Sequence, residues 1–305
     1  MQSVNGQAEI GNGVFSAANS VESLSFLEQL FADAEDVVLQ FLAGRPIQTV
    51  AMAGFIRDNG IVSRHNRGTF YGYWNSRHEL EGVALIGHAT LFEAKTHAAV
   101  RAFAEFAKTR SDIHIIMAEQ PSVREFLKQY SKGGQTVRHS CEQILFETSQ
   151  VLQQQGVSQL RRATVNDLHL ILPVHAQMCL AESGVDPLVT DSAGFQRRCA
   201  RRLKQNRTYV WIEKDELKFK ADVISETPEA IYLEGIWIDP TIGGSGHALR
   251  CLSHIVATLL NRAQSICLLT NVGNRNAIRL YQKAGLSARA LYESVFLEPR
   301  NSIVH

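Results

Sequence analysis

The sequence lacks most of what would commit it to a membrane, a metal or a disulfide scaffold. No apolar run approaches the ~18 residues needed to cross a bilayer, and the opening MQSVNGQAEIGNG has neither a basic nor an apolar leader stretch. A cytoplasmic protein without a membrane partner is expected. The five cysteines, Cys141, Cys179, Cys199, Cys251 and Cys267, are odd in number, widely spaced and without a CxxC pair. That argues against a disulfide framework and against a zinc site, so they are expected as reduced thiols, mostly in the core. Charge of one sign is missing too. Against 31 Lys and Arg stand 30 Asp and Glu, a net +1, and no nucleic-acid partner is expected from so balanced a surface. The imbalance between halves is mild, −3 for residues 1–150 and +4 for residues 151–305.

What is present reads as a globular α+β chain. Hydrophobic residues make up 45% and charged residues 20% of it, which excludes a disordered polyelectrolyte or a low-complexity fibre. Residues 1–20 are polar, rich in Gly, Asn and Ser, and are expected to be unstructured. Helical patterns over about 22–43 and 47–58 lead to GTFYGYWN and LEGVALIGHATLF, which read as antiparallel strands. A helix from 97, a strand IHIIMA, a helix SVREFLKQY and a strand near 141–149 follow. The Gln/Ser-rich segment around 151–157 is the expected linker between domains 21–150 and 158–298, with 299–305 as a tail. Beyond it the order restarts: a helix 165–182, a helix 192–204, a hairpin around KDE, a strand AIYLEGIWI, a helix 246–263, a strand ICLLT, a helix 274–284 and a final strand ALYESVFL. The halves read as two copies of one topology.

Two motifs carry chemistry. The loop GGSG at 243–246 lies between a strand ending at Ile238 and a helix holding Leu249, Leu252, Ile255 and Leu259. Inward N–H groups and a helix N-terminus would cradle a phosphate or diphosphate there, although an ordinary Gly-rich turn has the same composition. No Lys-Ser/Thr follows, so it is not a Walker loop, nor is it a GxGxxG fingerprint. The second motif, NRNAIRLYQKAGL at 274–286, is a helix with Asn274 as N-cap, Lys283 near the C-terminus and Gly285 as the closing residue. His247 and His254, seven apart with no third ligand and no HExxH, do not make a metal site. The basic run RRCARRLKQNR at 197–207 reads as the solvated face of a helix with Phe195, Cys199 and Leu203 inward.

Together the two motifs resemble those of the GNAT superfamily of acyl-CoA-dependent N-acyltransferases. LEGIWIDP matches the family's strand ending in Asp-Pro. GGSGHA places Gly246 and Ala248 on the small-residue positions of its first signature, and Asn274, Leu280, Tyr281, Gly285 and Leu286 meet the second. The similarity covers about residues 158–298. One departure is Gly243, where the family usually carries Arg or Gln. GVDPLV, FKADVISETP, FLAGRPIQTV and GTFYGYW also resemble a class of two-domain bacterial proteins, whose leading domain is here similar to a degenerate GNAT copy. That copy has LFEAKT, without glycine, where the diphosphate loop would be.

The resemblance implies tandem GNAT-like domains, each a mixed, mainly antiparallel sheet flanked by helices. It implies acetyl-CoA as co-substrate, no metal, and a primary amine on a small molecule, a peptide N-terminus or Lys as acceptor. The backbone of Ile236, Trp237 and Ile238 would carry the pantetheine arm. Gly243, Gly244, Ser245, Gly246, His247 and Ala248 would hold the diphosphate, with Asn274 also toward the cofactor. Tyr281 has the general-acid position. Glu234, six residues before Pro240 and in the alternation set of Ile236 and Ile238, is the candidate base. The alternative is a non-catalytic acyl-CoA-binding sensor or interaction protein, prompted by Gly243 and the degenerate first domain.

Overall fold

The computed structural model describes residues 25–151, 156–242 and 246–299. In the N-terminal half the order is β1 (Phe26–Gln29), α1 (Glu35–Ala43), α2 (Pro46–Asn59), β2 (Gly68–Trp74), β3 (Leu80–Gly87), β4 (Ala89–Ala94), α3 (His97–Lys108), β5 (Ile115–Glu119), α4 (Gln120–Tyr130) and β6 (Val137–Thr148). The C-terminal half repeats it with β7 (Arg161–Arg162), α5 (Leu168–Ser183), a single turn α6 (Pro187–Thr190), α7 (Ser192–Lys204), β8 (Thr208–Glu213), β9 (Glu216–Glu226), β10 (Ala230–Ile238), α8 (His247–Leu259), β11 (Ser265–Asn271), α9 (Arg275–Lys283) and β12 (Ser287–Leu297). The helix expected over 22–43 starts only at Glu35. Within that range, Phe26 to Gln29 pair antiparallel with Trp74 to Tyr71 instead, because Phe26 and Leu27 gain more from covering the edge of β2 than from an extra helical turn.

Local rules account for most elements. Thr96 caps α3 by accepting from the Ala99 N–H at 3.3 Å, and Asp191 caps α7 by accepting from the Gly194 N–H at 2.9 Å. Lys214 and Asp215 both have positive φ, 50° and 62°, which is the two-residue turn whose twist matches the β8–β9 hairpin. Phe195, Cys199 and Leu203 face inward on α7, as their spacing predicts.

The strands form one sheet in the order β1-β2-β3-β4-β5-β12-β6-β11-β10-β9-β8-β7. Only β4·β5 and β10·β11 pair in parallel. The middle of this order is an exchange. β6, the last strand of the first half, pairs with β11 of the second, and β12, the last strand of the second half, pairs with β5 of the first. The two exchanged strands then pair with each other from Ser287↔Glu147 to Leu297↔Val137. The Gln/Ser-rich segment at 151–157 therefore connects two chain halves whose sheets are each completed by a strand of the other.

One face of the sheet carries α3 and α4 against β2–β5 and α8 and α9 against β9–β11. The opposite face carries α1 and α2 in the first half and α5 and α7 in the second. Helix α2 reaches across the seam. Val50 packs with Leu145, Ala230, Tyr232 and Tyr292, and the Ser225 hydroxyl donates to the Val50 carbonyl at 2.9 Å. Arg207 pairs with Asp58, and Arg201 Nη2 donates to Asn59 Oδ1 at 2.7 Å.

This topology predicts that residues 156–305, expressed alone, fail to fold, because β11 loses its antiparallel neighbour and β12 loses both of its partners. A cooperative thermal transition and a well-dispersed amide spectrum from that fragment would contradict the exchange.

Candidate active site

The site is built where β10 leaves β11. The two strands pair only from Ala230↔Ser265 to Leu233↔Leu268. Beyond Leu233 the edge of β10 facing β11 is unpaired, and the cause lies on the other side of β10. Its register with β9 moves from Glu234↔Asp222 to Trp237↔Lys220, placing two residues, Gly235 and Ile236, opposite one, Ala221. Gly235 has φ +61°, a conformation that side chains disfavour and glycine takes freely. This β-bulge bends the strand and increases its twist, which opens the gap.

The bulge also reverses which face each side chain takes, and here the sequence-based expectation for Glu234 needs correction. Ile236 and Ile238 join the cluster under α8 with Ile231 and Leu233, whereas Trp237 packs toward α5 and α7. Glu234 lies on the face of Tyr232, opposite Ile236 and Ile238, because the extra residue shifts the alternation by one.

Around Glu234 the structure gathers groups that composition did not single out. Glu182, on the last turn of α5, is electrostatically coupled to it. Both residues reach solvent, yet the protein packed around their carboxylates strips much of their hydration. That desolvation raises both pKa values, and Glu234 opposite Glu182 pushes Glu182 further, up to about 7. Beneath them lies a buried ionic network. Asp222 accepts from the Thr208 hydroxyl at 2.7 Å, Arg202 Nη1 at 3.0 Å and Lys220 Nζ at 2.8 Å. Burial alone would raise its pKa, but Lys220 and Arg202 reverse that and hold it below the ordinary carboxylate range. His175 stacks on Phe195 at 5.2 Å and is kept neutral, its pKa pulled down to about 3 by burial and by Lys220 and Arg202. The thiol of Cys179 is pushed up to about 11 by burial and Glu234 and stays protonated. The detectable signal for this cluster was the Lys-x-Asp of FKADV, two charges on one face of an otherwise apolar five-residue stretch of β9. Arg202 belongs to the basic run read as a solvated helix face, yet it turns inward.

Tyr281 sits on the α8–α9 face, 6% exposed, with its ring edge-on to Phe146 at 5.8 Å. Burial pushes its hydroxyl up to about 12. The Asn274 side chain is used as the cap of α9, accepting from the Ala277 N–H at 3.1 Å. Gly243, Gly244 and Ser245 lie outside the described residues. Gly246 immediately precedes α8 with φ +78° and open space around it. His247 follows, its ring 4.9 Å from Trp211 and hydrogen-bonded to Arg250, and Ala248 is half-buried on the first turn. The residues fit an acyl-CoA co-substrate: an unpaired strand edge from Glu234 onward to take a pantetheine arm, and the uncapped N-terminus of a 13-residue helix, free of side chains at Gly246, to face a diphosphate. Among the described residues no group of His, Cys, Asp or Glu is arranged to hold a metal ion, and no helix is long and apolar enough to cross a membrane.

The equivalent gap in the first half is built differently. β4 and β5 separate after Leu91↔Met117, but the β3–β4 register runs unbroken to Ala94↔Gly82, with no bulge. Arg45 spans the opening, donating to Glu93 at 2.9 Å and to Glu119 at 2.7 Å. The N-terminus of α3 is capped by Thr96.

Residues 194–286 match the family model of the acetyltransferase (GNAT) family. The C-terminal half is therefore a GNAT-family domain. Solved structures share the fold over about nine-tenths of the chain. A GNAT-family acetyltransferase from Colwellia psychrerythraea is 8% identical over 90% of this chain and 100% of its own, with a TM-score of 0.56. A protein from Drosophila is 12% identical over 90% and 99%, at 0.65. A tandem GNAT protein from the clavulanic acid biosynthesis pathway is 10% identical over 91% and 100%, at 0.50. At such identities the likeness is one of fold. No curated protein matches the chain.

The raised carboxylate makes stability depend on pH in a defined direction. Between its unfolded pKa near the ordinary Glu value and its folded value of about 7, the native state binds more protons than the unfolded state, so stability falls as pH rises through this window. Glu182→Gln should raise the thermal midpoint by roughly 2 °C or more at pH 8 and change it little at pH 5. Equal shifts at the two pH values would contradict the raised pKa of Glu182.

Proposed function

We propose that the C-terminal half transfers an acyl group, acetyl in the simplest case, from acyl-CoA to an amine. The observation that carries this reading is the parting of β10 from β11 after Leu233, with Glu234 on one face of the sheet and Tyr281, on α9, on the other. Bound acyl-CoA would supply the activated acyl group as its thioester. Ile236, Trp237 and Ile238 would bind the arm through their backbone, and Gly246, His247 and Ala248, with Gly243, Gly244 and Ser245, would hold the diphosphate end.

The chain's own residues divide the proton work. An amine attacks only as the neutral species, so a proton must leave nitrogen. Glu234, on the side of the sheet where α5 and α2 border an open cleft, takes it up. Glu182 next to it is pushed up to about 7 by burial and by the charge on Glu234, so it still holds its proton when Glu234 ionises. Tyr281, whose hydroxyl remains protonated well above neutral pH, holds the proton for the leaving group. An acidic cleft also suits the ammonium form in which an amine acceptor arrives. The first half, with its gap spanned by Arg45, contributes α2 as wall, packed beside Tyr292 of β12, rather than a second cofactor site. The protein is soluble and cytoplasmic in this reading.

Tyr281→Phe should lower turnover roughly 10²-fold while leaving acetyl-CoA affinity nearly unchanged. Glu234→Gln should cost less turnover than Tyr281→Phe and change the acidic limb of the pH–rate profile. Gly246→Val forces a β-branched residue into positive φ and should weaken acetyl-CoA binding by about tenfold, roughly 1.4 kcal/mol. Calorimetry with acetyl-CoA, followed by thiol-release assays over a panel of amines, tests the whole reading. One equivalent bound with turnover supports it, and one equivalent bound with no turnover on any amine would replace it with the acyl-CoA sensor.

A further inference from the structure

Lys220 is fully buried. Its strand neighbours Phe219 and Ala221 face the apolar cluster under α8, and it points the other way, into the network beneath Glu234. Its Nζ donates to Asp222 Oδ2 at 2.8 Å and to the main-chain carbonyl of Gly235 at 2.8 Å. The fit at the bulge is close: a Cβ on Gly235 would stand 2.8 Å from Lys220 Nζ and 2.9 Å from Asp222 Oδ2. Asp222 is itself filled by Thr208 and Arg202, so the ammonium is held against a fixed carboxylate. As a source of stability alone, such a group does poorly. Removing an ammonium from water costs several kcal/mol, which the pair regains only through good geometry, and an apolar side chain of similar volume commonly serves as well.

The bond to Gly235 has a directional consequence. The peptide joining Gly235 to Ile236 is trans, as are all those described. In a planar trans peptide, C=O and N–H point in opposite directions. Anchoring the Gly235 carbonyl on Lys220 therefore fixes the Ile236 N–H away from Lys220. A cation on the carbonyl also polarises the peptide unit and makes its N–H a stronger donor.

We propose that Lys220 is a positioning residue for acyl transfer: through the Gly235 carbonyl it aims and strengthens the Ile236 N–H as the donor to the acyl oxygen of the bound thioester. The role rests on the acyl-transfer reading and extends it to a residue that touches neither substrate. Negative charge that develops on the acyl oxygen is met by the Ile236 N–H, while no proton leaves Lys220.

The test compares the full chain with Lys220→Met, Lys220→Arg and Gly235→Ala, the last keeping the charge while pushing Nζ off the carbonyl. Without any ligand, the Ile236 amide proton should move upfield in Lys220→Met and Gly235→Ala relative to wild type, and less in Lys220→Arg. With acetyl-CoA and an accepted amine, kcat should fall roughly 10²-fold in Lys220→Met, the scale for losing one preorganised donor. KM for acetyl-CoA should change little, and Lys220→Arg should recover part of the loss. Should Lys220→Met fail to fold, Lys220→Arg and Gly235→Ala give the same ordering between them. Wild-type turnover together with an unmoved Ile236 amide or an unchanged kcat in the folded variants overturns the role of Lys220 alone. Absence of turnover in the wild type on every amine overturns the acyl-transfer reading itself, and the role with it.

Discussion

The antiparallel pair β6·β12 is the constraint on which the rest of the molecule depends. Each strand ends one half of the chain and completes the sheet of the other, so the seam lies inside a hydrogen-bonded ladder rather than between two closed surfaces. A ladder leaves little freedom. Polar groups at the seam are satisfied across it: Ser294 donates to Gln143 at 2.7 Å and Arg289 Nε to Glu147 at 2.7 Å. Once β6 is set against β11, the position of β10 follows, and with it the gap in which the candidate site lies. Helix α2 then has one sheet to cover, and its contacts with β9 and β10 make an element of the first half part of the second half's cleft.

The two gaps in the sheet show how little separates a site from a joint. Both arise where a parallel pair stops early. In one, a glycine bulge turns the backbone outward and a buried cation fixes it. In the other, the register is regular and Arg45 ties both strands by their carboxylates, Glu93 and Glu119. Desolvation raises the pKa of Glu93 against the pull of Arg45, which shows how enclosed that clamp is. The fold is duplicated, and the glycine bulge stands in only one of the two gaps described.

Much of this was legible in the sequence. Alternation in RTYVWIE and LKFKADVIS, the Asn274 cap and the 3.6-residue spacing on α8 are local signals, and each became the element it predicts. The strand exchange was not legible, because β6 and β12 read as ordinary strands and the choice of partner is made by three-dimensional competition among edges. The strand that holds Glu234 is legible but the face Glu234 takes is not, because a bulge of one residue is invisible to a period-2 count. Glu182 and Asp222 were missed for a different reason. They sit on separate elements, and only packing brings them to Glu234. Arg202 was hidden inside a run of like charges, where composition gives no way to tell guanidinium groups that turn to partners within the protein, as Arg201, Arg202 and Arg207 do, from those that stay in water.

The exchanged strands also set the order in which the chain is able to fold. Pairing Ser287 with Glu147 closes a loop of about 140 residues, an entropic cost on the order of 4 kcal/mol by the logarithmic rule. During synthesis β5 has no partner on its open side until β12, near the end of the chain, has been made. Neither half can therefore finish as a cooperative unit while the other is incomplete, and a two-copy chain that looks modular acquires the high contact order and slow, late commitment of a single large β protein.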